Sequence, residues 1–67
     1  MKAMPPVQKN DVLELPIHGL TADGRGVGRM GGYAVFVQGA LPGEVVRCHV
    51  IKANRGYGVA KLLQVLT

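Results

Sequence analysis

The feature that most constrains the fold is a glycine-rich stretch at residues 24–44, GRGVGRMGGYAVFVQGALPGE. Two adjacent glycines, Gly31 and Gly32, separate a basic segment from a strongly apolar one. Such a pair favours a tight hairpin turn, because both central residues of that turn take positive φ. The apolar segment, residues 33–37, is rich in β-branched and aromatic residues and is too short for a helix. The stretch therefore predicts a β-hairpin.

Alternation of apolar and other residues predicts further strands on both sides of this hairpin. Residues 11–20, 44–53 and 57–66 each follow a period of two, which is typical of half-buried strands. Residues 26–30 form the basic arm of the hairpin. The side chains expected to face inward in the alternating segments are Leu13, Leu15, Ile17, Val46, Cys48, Val50, Gly58, Ala60 and Leu62. Apolar residues do not recur at helical spacing, so no helix beyond a single turn near Ala40 is expected.

Five short strands in 67 residues favour a small closed barrel of the OB or SH3-like kind. Closure is favoured because a small open sheet exposes edge strands. A chain of this length makes one domain, near the size at which a single core is only just adequate. Residues 1–10 contain two prolines and no periodicity, so they are predicted to be a flexible leader before a domain at residues 11–67.

The net charge of +4, from eight Lys and Arg against four Asp and Glu, indicates a polyanionic partner such as nucleic acid. A basic surface that only aids solubility is the alternative at this point. No apolar run approaches the roughly 18 residues of a membrane span, and no signal-peptide pattern follows the first residue. We therefore expect a cytoplasmic protein without a membrane partner.

Motifs that suggest catalysis stand in a predicted structural context that does not support it. Gly26, Gly28 and Gly31 spell G-x-G-x-x-G, but a dinucleotide site needs this motif to open a helix, and here a strand is predicted. Cys48 and His49 are neighbours on a strand and so point to opposite faces. The acidic residues are scattered, and the single cysteine supports neither a disulfide nor a metal cluster. We predict no catalytic residue, no metal site and no cofactor in this chain.

Basic residues interleaved with aromatic ones predict a face for nucleic acid. Small barrels bind single strands when cations follow the phosphates and aromatic rings stack on bases. The candidate polar contacts are Arg25, Arg29, Arg47, His49, Lys52, Arg55 and Lys61, and the candidate stacking rings are Tyr33, Phe36 and Tyr57. The alternative is a solvated basic surface with Phe36 in the core. The orientation of Phe36 stays open, because one bulge reverses every later side chain.

Three patterns together resemble a known family. They are GLTxxGxGVGR from Gly19, GYAVFV from Gly32 and GALPGE from Gly39, and their combined spacing is similar to that of TRAM domains. The resemblance covers residues 11–66. It implies an all-β, five-stranded OB-like β-barrel that binds RNA.

The pattern most resembles the N-terminal TRAM domain of 23S rRNA and tRNA (uracil-5-)-methyltransferases. That resemblance implies rRNA or tRNA as partner, together with a catalytic domain of the same parent chain. The catalytic domain would use S-adenosylmethionine and, in many members, an iron–sulfur cluster. Two alternatives remain open: a free-standing RNA-binding or chaperone-like TRAM protein, and a barrel that docks another protein domain through Val35, Ile51 and Val59.

Overall fold

A computed structural model describes residues 6–67, which fold into five β-strands. The strands are Val12–Leu20 (β1), Arg25–Met30 (β2), Tyr33–Gln38 (β3), Val45–Ala53 (β4) and Tyr57–Val65 (β5). Each predicted strand is confirmed, with ends that agree to within one residue. Residues 6–67 contain no helix, and thus none that is long and apolar enough to cross a membrane.

The strands close into a barrel in the order β1-β2-β3-β5-β4. Strand β1 pairs with β2 on one side and with β4 on the other, so every strand has two neighbours. Only the β3–β5 pair is parallel; the other four pairs are antiparallel. This arrangement confirms the predicted all-β, five-stranded OB-like barrel.

Two tight turns occur where glycine and asparagine predicted them. Gly31 and Gly32, with φ of 58° and 90°, connect β2 to β3 and place Met30 opposite Tyr33. A second turn connects β4 to β5, where the amide of Asn54 donates to the carbonyl of Tyr57 at 2.8 Å. Both hairpins follow from local sequence.

The core contains inward-facing residues of β1, β3, β4 and β5. The inward positions of β2 are glycines. The buried apolar members of the core are Val7, Leu15, Ile17, Tyr33, Val35, Val37, Ala40, Val46, Cys48, Val50 and Ala60. Leu13 and Leu62 are partly buried against this cluster, so the predicted inward sets of β1, β4 and β5 are confirmed. Burial raises the pKa of the Cys48 thiol, which lies among apolar neighbours as expected for a packing residue.

Gly26 and Gly28 serve packing. A Cβ at Gly26 would lie 2.7 Å from the carbonyl oxygen of Ala40, and one at Gly28 would lie 2.5 Å from Leu15 Cδ1. Both glycines are buried in β2, and a turn and a strand follow them. The structural interpretation of the G-x-G-x-x-G motif is therefore confirmed.

Three register shifts bend the strands. His18 is the extra residue of β1 opposite β2, Ile51 is the extra residue of β4, and Leu63 is the extra residue of β5. The extra residue His18 follows the Ile17–Gly28 pair, and the absence of a side chain at Gly28 lets β1 approach β2 closely at this point.

The predicted leader is only partly described, since residues 1–5 lie outside the described part of the chain. Residues 7–10 differ from the prediction, because Val7 is only 1 % exposed and belongs to the core. A turn closes this segment: the amide of Gln8 donates to Asp11 Oδ2 at 2.8 Å, and the amide of Asn10 donates to the Val50 carbonyl at 2.7 Å. Proline content therefore did not distinguish a flexible leader from a segment that packs on the barrel.

Candidate nucleic-acid interface

An aromatic pair marks the outer face formed by β3 and β5. Phe36 lies between Val35 and Val37, which are fully buried, so alternation turns its ring outward. The ring contacts that of Tyr57 edge to face, with centroids 5.6 Å apart and an interplanar angle of 71°. Tyr57 is 38 % exposed. Together the two rings present apolar π surface to solvent, which is the feature on which unstacked bases pack.

Polar side chains cross this face in register. Arg25 pairs with Gln38, Gln38 pairs with Lys61, and Lys61 pairs with His49, so one row spans β2, β3, β5 and β4. A neighbouring row places Phe36 beside Val59. The register therefore places the cationic side chains of Arg25 and Lys61 in the row next to that of Phe36.

Two grooves open on this face and share one arginine. The smaller groove, of about 310 Å³, is lined by Thr21, Asp23, Arg25, Phe36 and Tyr57. The larger groove, of about 560 Å³, is lined by Arg25, Gln38, Ile51, Val59, Ala60, Lys61 and Leu62. We call them the aromatic groove and the basic groove. Because Arg25 borders both, a nucleotide chain that passes from one to the other would cross its guanidinium.

The turn between β1 and β2 holds Arg25 in place. Its backbone amide donates to Thr21 Oγ1 at 2.9 Å, and its Nε lies 3.2 Å from Asp23 Oδ2. Thr21 Oγ1 in turn donates to Asp23 Oδ1. This hydrogen bond, and next the charge of Arg25, lower the pKa of the Asp23 carboxyl below its ordinary value of 3.8. Asp23 is therefore an ionised acceptor at neutral pH.

Two predicted contacts lie away from these grooves. The guanidinium of Arg47 donates to Glu14 Oε2 at 2.6 Å and to Gln64 Oε1 at 3.2 Å, which engages it across β1, β4 and β5. His49 Nε2 lies 3.2 Å from Asn10 Oδ1. Their strand positions are as predicted, but each already has a polar partner outside the aromatic groove.

The structure corrects two predicted roles. Tyr33 is 7 % exposed, and its hydroxyl donates to the carbonyl of Asn54 at 2.7 Å, so its ring is part of the core and is not a stacking surface. Val35 is fully buried, so it does not belong to an outer docking face with Ile51 and Val59. The face of β3 that carries Tyr33 and Val35 fills the barrel, whereas Phe36 lies on the opposite face. Both errors come from placing residues of the inner face on the outer surface.

The remaining predicted cations surround the same face. Arg29 is exposed near the end of β2, Arg55 is exposed in the β4–β5 turn, and Lys52 is exposed on β4 opposite Val59. Strict alternation would turn Lys52 inward with Val50, but the extra residue Ile51 turns it outward. These positions are compatible with the predicted RNA contacts.

Sequence reasoning missed Thr21, Asp23 and Gln38. A carboxylate two residues before an arginine, as in Asp23 and Arg25, is a usable sequence signal for a paired side chain. Within residues 6–67, no three His, Cys, Asp or Glu side chains lie close enough together to hold a metal ion.

Comparison with protein-family models identifies the family of this chain. A family model for the TRAM domain matches residues 6–63, so the chain belongs to the TRAM family. The fold agrees: the solution structure of a conserved protein of Methanococcus maripaludis superposes with a TM-score of 0.81. The two are 28 % identical, and the match covers 87 % of this chain and 83 % of that one.

Curated relatives are much longer than this chain. It is 46 % identical over 65 residues to an uncharacterized RNA methyltransferase of Halalkalibacterium halodurans, covering 97 % of this chain and 14 % of the relative. It is 42 % identical over 67 residues to an uncharacterized RNA methyltransferase of Clostridium tetani, covering 100 % of this chain and 15 % of the relative. The chain thus corresponds to about one seventh of these relatives.

Proposed function

We propose that this chain is an RNA-binding TRAM module that holds rRNA or tRNA for a catalytic methyltransferase domain of a longer parent enzyme. The observation that carries the proposal is the outward Phe36–Tyr57 pair, which lines the aromatic groove beside Arg25, the residue that also borders the basic groove. Barrels of this topology bind oligonucleotides on the face of strands two and three with the adjoining loops. Aromatic rings supply sequence-tolerant stacking, and the cations supply phosphate contacts.

The parent enzyme is proposed to be an S-adenosylmethionine-dependent RNA (uracil-5-)-methyltransferase of the cytoplasm. Support comes from the RNA methyltransferases of which this chain spans about one seventh. S-adenosylmethionine and an iron–sulfur cluster would belong to the remainder of such an enzyme. The residues of this chain do not fit a cluster, since its single cysteine, Cys48, is buried.

Titration of single-stranded and structured RNA across a salt series tests the proposal. We expect affinity to fall as salt rises, with a slope of about 0.7 for each phosphate contact to a single strand. A double variant, Arg25→Gln with Lys61→Gln, should bind more weakly and lower the slope by about 1.4, because two contacts are lost.

A matched double variant controls for net charge. Lys9→Gln with Arg47→Gln removes the same two charges, but Arg47 is engaged by Glu14 and Gln64 away from the grooves. Its salt slope should stay near that of the unmodified chain. Equal losses in both double variants would place the contacts elsewhere, and no binding of any RNA at low salt would overturn the proposal.

The free-standing alternative differs from this proposal only in the catalytic partner. A reading frame that continues into an S-adenosylmethionine fold supports the methyltransferase, whereas a stop codon after Thr67 supports the free-standing protein. The docking alternative predicts an association with protein that survives high salt, in place of RNA binding.

A further inference from the structure

The aromatic groove contains a carboxylate on a face that is otherwise basic. Asp23 lines this groove with Phe36 and Tyr57, and its side chain is 61 % exposed. A carboxylate repels phosphate, so it weakens general RNA affinity. Its position beside the two rings, however, is where the edge of a stacked base would lie. The groove, of about 310 Å³, has room for a nucleobase.

The carboxylate is held in one orientation with acceptor capacity left over. Thr21 Oγ1 donates to Oδ1, and Arg25 Nε lies 3.2 Å from Oδ2, so each oxygen has one partner. An ionised carboxylate accepts about four hydrogen bonds in all, roughly two per oxygen. Each oxygen therefore keeps a lone pair for a ligand. Thr21 donates its only hydroxyl hydrogen to Asp23, so this hydroxyl cannot also donate to a ligand in the groove.

We propose that the aromatic groove selects guanine, with Asp23 accepting hydrogen bonds from the N1–H and N2–H groups of the base while Phe36 and Tyr57 contact its ring. This inference rests on the proposed RNA binding and adds a base preference to it. Guanine alone presents two adjacent donors that match two carboxylate oxygens. Uracil has one N–H between two carbonyl oxygens, and adenine and cytosine each place an acceptor nitrogen beside the amino group, so a carboxylate repels part of each edge.

Arg25 connects this base site to the phosphate path. Its Nε is committed to Asp23, which leaves the four terminal N–H groups of the guanidinium. The side chain also borders the basic groove, together with Gln38 and Lys61. A guanine in the aromatic groove would thus be followed by a phosphate at Arg25 and Lys61. Asp23 acts here as base acceptor and as the residue that orients Arg25.

The test compares uridine hexanucleotides that carry one central guanine, inosine, adenine, cytosine or uracil, titrated into the whole chain at low salt. We expect guanine to bind at least about fivefold more tightly than uracil, since a bidentate contact discriminates by that factor or more. Inosine lacks the N2 amino group and should fall between them. In Asp23→Asn the guanine-to-uracil ratio should drop below about twofold, because the amide replaces one acceptor with a donor.

The control variant is Glu14→Gln, which removes one exposed negative charge from β1, a strand that pairs with neither β3 nor β5. Each variant removes one negative charge, which changes the phosphate attraction of all five oligonucleotides by the same factor, so the ratio between bases is the deciding readout. A guanine preference that survives Asp23→Asn, a preference for another base, or equal binding of all five oligonucleotides overturns the inference and leaves the proposed RNA binding standing. Failure to bind any oligonucleotide overturns the proposed function itself, and the base preference with it.

Discussion

At the scale of one residue, Gly28 is a position at which the packing of the barrel leaves no room for a side chain. The residue is buried in β2 and pairs with Ile17 of β1. A Cβ there would lie 2.5 Å from Leu15 Cδ1 and 2.8 Å from the carbonyl oxygen of Pro16. Leu15 is only 2 % exposed and the Pro16 oxygen belongs to the backbone, so neither can move away without disturbing the core.

We therefore expect Gly28→Ala to lower the free energy of unfolding by about 1–3 kcal/mol, the usual cost of overpacking. Urea unfolding followed by circular dichroism measures the change. Gly19→Ala is the matched control, because a Cβ at Gly19 has no heavy atom within 4 Å among the described residues. Equal stability of the two variants would contradict the close approach of β1 and β2.

At the scale of elements, Tyr33 connects the start of β3 to the β4–β5 turn. Its hydroxyl donates to the carbonyl of Asn54 at 2.7 Å across the barrel. The ring also lies over Gly58, where a Cβ would approach the Tyr33 hydroxyl to 3.3 Å. The small residue in β5 and the large residue in β3 are therefore complementary, and the hydroxyl satisfies a carbonyl of the turn.

Tyr33→Phe should lower the free energy of unfolding by about 1 kcal/mol, since it removes one partly buried hydrogen bond and keeps the ring. The amide of Asn54, which donates to Tyr57 within the turn, should exchange with solvent faster in this variant. Hydrogen exchange by NMR measures this. Tyr57→Phe removes a hydroxyl from the exposed aromatic pair, and its turn amides should exchange at the original rate; a similar acceleration there would argue against a specific Tyr33 contact.

At the scale of the whole molecule, closure of the barrel divides the outer surface into two regions. One region, on β2, β3 and β5, contains the Phe36–Tyr57 pair and the two grooves. The other, on β1 and the adjoining part of β4, contains the ion pair of Glu14 with Arg47 at 2.6 Å. An exposed pair of this kind contributes little to stability, but it occupies a cation that would otherwise be available to phosphate.

Saturating the chain with RNA should therefore shift the backbone amide resonances of Arg25–Met30 and Tyr33–Gln38 and leave those at the centre of β1 nearly unchanged. This difference between the two sides is expected if RNA binds to one region of the surface, and two-dimensional ¹H–¹⁵N spectra measure it. Shifts concentrated around Glu14 and Arg47 would place the interface on the opposite side of the barrel.

Much of the fold could be predicted from particular residues because the signals are local. The adjacent Gly31 and Gly32 predicted a hairpin, and the alternation in β1 and β5 predicted which side chains face inward. The candidate site was predicted less completely. Phe36 and Tyr57 were both proposed as stacking rings and both lie outward, but Tyr33 was assigned to the same surface although its ring fills the core.

Strand number, turn positions and the period-two pattern were determined by the sequence alone, since each depends on residues within a few positions of one another. Tertiary structure decided the rest. Ile51 as an extra residue turns Lys52 outward, Val7 packs into the core from outside the strands, and Glu14 reaches Arg47 on another strand. These outcomes depend on register between segments far apart in the chain. Register is set by how the closed barrel fills its interior, which no local pattern contains.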